Sequence, residues 1–74
     1  MTRDGTLRNT LKVQRAMRDL TQADLADLAG VTRRSIHAIE TGKMVPSVLL
    51  ALRIAHVLKV PLEHVFQLDG AADD

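Results

Sequence analysis

Two adjacent arginines, Arg33 and Arg34, follow a Gly30-Val31-Thr32 turn and open a short helical segment. A guanidinium is a planar, permanently charged fork of N–H donors. On an exposed helix it can pair with guanine O6 and N7 together, a contact worth about 1–3 kcal/mol of base discrimination. By the 3.6-residue period, Arg33, Arg34, His37, Ala38 and Thr41 share one side of that helix. On the helix alone a solvated arginine pair would look the same; the turn ahead of it favours recognition. The other chemistry-bearing residues offer less. His37, His56 and His64 have no spacing that builds one compact ligand set, and there is no cysteine, so no metal is expected. There is no glycine-rich phosphate loop and no paired carboxylate cluster. No catalytic residue, no cofactor and no enzyme are therefore expected.

Two helices have to hold the arginine face. Thr21 is an N-cap candidate with Asp24 three residues on, a capping-box spacing, and predicts a helix over 22–29 with Leu25, Ala26 and Leu28 as its apolar positions. Gly30 suits a left-handed helix end, and Thr32 is a second N-cap for a helix over 33–40. So short a connection makes the helices cross at roughly 90–120°. Ala26 is small enough for the crossing, and Val31, Ile36 and Ile39 would fill the angle.

Three further helices are expected around this pair. The first runs over 7–18, its buried side marked by Leu7, Leu11 and Met17 with Val13 at the margin, and Asp19 tolerates a left-handed end. After the connector Met44-Val45-Pro46, Ser47 caps a fourth helix through Leu58, with Leu50, Ala51, Ile54 and Leu58 as its main stripe. Pro61 opens a short fifth helix over 62–66. Residues 1–6 are expected to be flexible, 7–68 to form the domain, and 69–74 to be an acidic disordered tail.

The 74 residues allow one domain. With 46% hydrophobic residues and Phe66 as the lone aromatic, the core must be aliphatic, and the lack of sustained period-two alternation makes the fold class all-α. Net charge is +1, but residues 1–45 hold eight Lys/Arg against five Asp/Glu, and residues 46–74 hold two against four. The front is basic and the end acidic, or the charges are simply scattered over a solvated surface. The longest apolar stretch, 44–60, is broken by Pro46, Arg53, His56 and Lys59, and the first residues lack the apolar centre of a signal peptide. The expected setting is the cytoplasm, with no membrane partner.

From Leu7 to Phe66 the chain resembles the Cro/phage-repressor, or Xre-type, helix-turn-helix family. The resemblance is carried by Leu11 and Arg15, Leu20-Thr21-Gln22, Leu25-Ala26, Gly30-Val31-Thr32, Ser35-Ile36 and Ile39-Glu40-Thr41-Gly42-Lys43. Pro46-Ser47, Leu50-Ala51, Ile54-Ala55, Leu58, Val60 and Phe66 continue it. It implies a five-helix lambda-repressor-like DNA-binding domain, and a sequence-specific transcriptional regulator, expected to be a repressor, reading the major groove as a dimer. Arg33, Arg34 and Ala38 match base-reading positions. Gln22 matches a glutamine that clamps a DNA phosphate and can brace a recognition-helix side chain. Thr32, Ser35, Thr41 and Lys43 match phosphate contacts. His37 matches a variable exposed position that either reaches DNA or stays solvated. Arg15 and Glu40 match a buried ion pair. Two positions depart from the pattern: Gln14 stands where leucine is common, with Val13 a candidate to compensate, and Lys59 replaces a glycine after the fourth helix.

The expected partner is double-stranded DNA, with no small-molecule ligand. One such module makes few base contacts, so a homodimer reading two half-sites is expected. Leu49, Leu52, Phe66 and Leu68 are the interface candidates, unless Leu52 and Phe66 belong to the monomer core; Phe66-Gln67-Leu68 is alternatively a strand pairing with its mate. A protein-interaction module, such as an antitoxin with a toxin partner, is the competing class.

Overall fold

The computed structural model describes residues 6–69. The expected flanks 1–5 and 70–74 lie outside the described residues. Within them are five helices and a small sheet: β1 (Thr6–Asn9), α1 (Leu11–Ala16), α2 (Gln22–Ala29), α3 (Arg33–Glu40), α4 (Val48–Leu58), α5 (Leu62–Val65) and β2 (Phe66–Asp69). The fold is mostly helical but not all-α. β1 and β2 pair antiparallel, with Leu7 opposite Leu68 and Asn9 opposite Phe66, so the two ends of the described segment meet. Thr6 and Asp69, expected in the flanks, form the outermost pair.

The expected first helix therefore loses its first turn. Asn9 is the cause. Its Oδ1 accepts from the Leu11 N–H at 3.1 Å, and its Nδ2 donates to the Ile39 carbonyl at 3.0 Å. A short polar side chain that satisfies nearby backbone groups competes with helix formation. The next residue is tied down as well, since the Thr10 N–H donates to the Val65 carbonyl at 2.9 Å. The segment Phe66-Gln67-Leu68 is extended, in line with the alternative expectation, but pairs with β1 of its own chain.

Leu11, Leu25, Ile36, Ile39, Ile54, Leu58 and Val65 are the large fully buried side chains, drawn from α1 to α5, and Phe66 joins them at 8% exposure. Three expected apolar positions fall outside this core. Val13 on α1, Met17 just past its end and Leu28 on α2 are exposed, and Ala29 is buried in Leu28's stead. Val13 thus compensates for nothing. Gln14 instead anchors Arg18: its side-chain and main-chain oxygens accept from Arg18 NH1 at 3.0 and 2.7 Å. Arg18 Nε in turn reaches the Leu58 carbonyl at 3.1 Å, so α1 holds the end of α4. Lys59 sits there at φ 59°, the left-handed conformation that glycine adopts without Cβ strain.

Candidate nucleic-acid interface

The expected capping box opens α2: Asp24 N–H donates to Thr21 Oγ1 at 3.0 Å, and Thr21 N–H donates to Asp24 Oδ2 at 3.0 Å. The bond from the Thr21 backbone N–H and, after it, the Thr21 side chain hold the Asp24 carboxyl below the usual carboxylate range. Gly30 ends α2 at φ 77°, and Val31 N–H returns to the Ala26 carbonyl at 2.9 Å. Thr32 caps α3 by accepting from Ser35 N–H at 3.1 Å. Ala26 on α2 is buried, as the small residue expected for a close crossing, and Ile36 and Ile39 face the core.

The opposite side of α3 is open. Arg33, Arg34 and His37 are exposed, as are Thr41 and Lys43 just beyond the helix, and Ala38 is half-buried among them. The two hydroxyls of the first turn are ordered by their own bonds. Thr32 Oγ1 donates to Ser35 Oγ at 3.1 Å, which leaves the Ser35 proton free for an outside acceptor. Thr41 Oγ1 donates back to the His37 carbonyl at 2.9 Å, so it must rotate before it can donate to anything else. Lys43 is placed by its N–H, which donates to the Ala38 carbonyl at 2.8 Å.

Beneath this face lies the ion pair. Arg15 Nε is 2.8 Å from Glu40 Oε2, with the two side chains 15% and 5% exposed. Arg15 NH2 adds a longer bond to Glu40 Oε1 at 3.4 Å, and NH1 donates to the Leu20 carbonyl at 2.8 Å. Gln22 braces α3, one of the two roles that the resemblance implies for it. Its Nε2 donates to Glu40 Oε1 at 3.0 Å and lies 3.3 Å from His37 Nδ1. The side-chain amide nitrogen is thereby turned onto α3. What α2 still offers an anion are the backbone N–H groups of Gln22 and Ala23, which have no carbonyl one turn back to bind, that of Asp24 being taken by Thr21. Gln22 and Glu40 stand too far apart in sequence for helical periodicity to couple them; the only sequence signal was that both belong to the family pattern.

Residues 11–65 match the helix-turn-helix family model. The chain belongs to the Cro/C1-type helix-turn-helix family. Relatives are named as HTH-type transcriptional regulators. An uncharacterised HTH-type transcriptional regulator of Methanocaldococcus jannaschii is 48% identical over 60 residues, covering 81% of this chain and 91% of the relative. Another, from Bacillus subtilis, is 41% identical over 63 residues, covering 85% and 96%. Among solved structures, the restriction-modification controller protein C.AhdI of Aeromonas hydrophila is similar with a TM-score of 0.70 at 28% identity, over 73% of this chain and 82% of that one. A protein structure from Bacteroides fragilis shares the fold with a TM-score of 0.76 at 24% identity, over 84% of this chain and all of that one. Members of this helix-turn-helix family are DNA-binding transcription regulators and not enzymes. Among the described residues no helix is long and apolar enough to cross a membrane.

Proposed function

We propose that the chain binds double-stranded DNA sequence-specifically as a homodimer, lays α3 in the major groove of each half-site and represses transcription by occupying the operator. The observation that carries this is the open face of α3, where Arg33 and Arg34 stand exposed at the end that a recognition helix directs at base edges. Each fork suits one guanine, and the Ala38 methyl suits a thymine methyl. Ser35, Lys43 and the backbone N–H groups at Gln22 hold flanking phosphates, and Thr32 and Thr41 contribute once their hydroxyls turn outward. The resemblance to a protein named as a controller supports a regulatory role.

The second copy docks on an apolar row along α4. Leu49 and Leu52 are 61% and 49% exposed, Val45 and Val48 continue the row, and Leu68 is open on β2. Phe66 drops out of the interface because the monomer core already covers it.

Selection of bound sites from random DNA tests the proposal. A two-fold symmetric consensus is expected. Arg33→Ala or Arg34→Ala should relax it at one position per half-site, whereas Lys43→Ala should weaken all sequences alike and lower the salt slope by about one unit. With six or more phosphates neutralised, affinity should drop roughly 1,000-fold between about 50 and 200 mM salt. A consensus indifferent to both arginines would refute α3 as the reader.

A further inference from the structure

The contact between Gln22 and His37 says more than that two polar side chains touch. Glu40 is an acceptor only, and its carboxylate is pinned by two guanidinium nitrogens of Arg15. Whatever faces Glu40 Oε1 at 3.0 Å must be a donor, which orients the Gln22 amide with its nitrogen inward. The reversed amide would set two acceptor oxygens against each other. That same nitrogen has one more hydrogen, and His37 Nδ1 lies 3.3 Å from it. The ring nitrogen meeting an N–H must itself be unprotonated. In a neutral imidazole the proton is then on Nε2.

The imidazole stands on the exposed side of α3, one turn along from Arg33 and three residues from Arg34, positions that neighbour each other on a helix surface. We infer that His37 is a specificity-determining residue, fixed by the Arg15–Glu40–Gln22 chain as a donor at Nε2 for an acceptor on a base edge. Guanine offers N7 and O6, adenine N7 and thymine O4; cytosine offers only the N4 donor and is rejected. Gln22 is the positioning residue: it acts through the tautomer of His37. The inference rests on α3 lying in the major groove.

Two measurements test it. Long-range nitrogen–proton NMR spectra of the free protein at about pH 8, above the ordinary imidazole range, report which ring nitrogen carries the proton. The expected result is protonated Nε2 and bare Nδ1 for His37, with a mixture of tautomers in Gln22→Met. A protonated Nδ1 in the wild type overturns the inference without touching the groove assignment. Site selection should then show one position per half-site where cytosine is disfavoured about five-fold, the equilibrium equivalent of one neutral hydrogen bond. His37→Ala and Gln22→Met should each lose that discrimination while keeping the positions that Arg33 and Arg34 read. Gln22→Glu, whose carboxylate accepts from Nδ1–H, should turn Nε2 into an acceptor and favour cytosine or adenine there. Circular dichroism checks that each variant is folded, and Gln22→Met stands in if the second carboxylate beside Glu40 unfolds the chain. If His37→Ala weakens every sequence alike, the imidazole contacts phosphate and the inference is wrong. If no variant, including those of the arginines, alters the consensus, the groove assignment fails and this inference with it.

Discussion

Arg15→Ala should cost this domain more than any substitution on the exposed side of α3. The guanidinium holds Glu40 through Nε at 2.8 Å and NH2 at 3.4 Å, and holds the Leu20 carbonyl through NH1 at 2.8 Å. With alanine there, Glu40, 5% exposed, keeps one neutral donor from Gln22 and no countercharge. Stranding a buried charge costs about 3–5 kcal/mol, and the 15% exposure of the Arg15 side chain argues for the lower end. A chain of this length has about 4–11 kcal/mol of total stability at the usual per-residue value. About 3 kcal/mol is therefore most of the smaller figure, and at roughly 4–8 °C per kcal/mol it lowers the melting temperature by about 12–24 °C. Arg33→Ala, which removes an exposed side chain, should stay within about 0.5 kcal/mol. Thermal melts followed by far-ultraviolet circular dichroism compare the two directly. Replacing both partners, Arg15→Met with Glu40→Leu, should recover much of the loss, since an apolar pair leaves no orphaned charge. Equal melting points for Arg15→Ala and Arg33→Ala would refute the argument that this pair is buried in energetic as well as geometric terms.

Lys59→Gly should raise the melting temperature, because relief of the left-handed Cβ strain at φ 59° is worth about 1 kcal/mol, less the added chain entropy of glycine; a lower melting point would contradict it. Asp24 gives an acid-side signature: its carboxyl is held below its ordinary range in the folded chain, so its stabilisation is complete above about pH 4 and drains away as pH falls through the folded value. Asp24→Asn should flatten that part of the stability-against-pH curve in denaturant titrations, and unchanged curvature would count against the capping bond. Leu52→Lys should shift sedimentation toward the monomer and remove cooperative DNA binding while leaving the fold in place, since Leu52 is 49% exposed on α4. A lysine variant that still sediments as a dimer would move the interface elsewhere.

What could be read in the sequence is what is decided within a few residues. Thr21 with Asp24, Gly30, Thr32 and Ser47 each satisfy or terminate a helix end locally, and all four act as expected. The sheet was not readable for the converse reason. Leu7 and Leu68 lie at opposite ends of the chain, and four residues of strand are too few for an alternating pattern to stand out against helical spacing. The segment before α1 even carries Leu7 and Leu11 one helical turn apart, so periodicity alone favours a helix; the Asn9 bond to the Ile39 carbonyl, a long-range contact, tips it to strand. Leu28 failed for a different reason. Side-by-side apolar residues at Leu28 and Ala29 leave the phase of α2 open, and the close approach of another element selects the smaller one.

The site was legible in its parts and not in its wiring. Residue types placed Arg33, Arg34 and Lys43 on an exposed face, but no spacing rule connects a glutamine at the start of α2 to a glutamate at the end of α3. The fold makes that connection by packing the two helices across each other, so that Gln22 meets Glu40 at 3.0 Å. Core and reading face then share one group. Glu40 is half of the ion pair that ties α1 to α3, and it also sets the amide that meets His37. A mutation that loosens Arg15 should accordingly be felt twice, first as lost stability and then, under conditions where the domain is still folded, as altered discrimination at the base facing His37. A change that was purely global would weaken every sequence in proportion; a change confined to one base position is what this wiring requires.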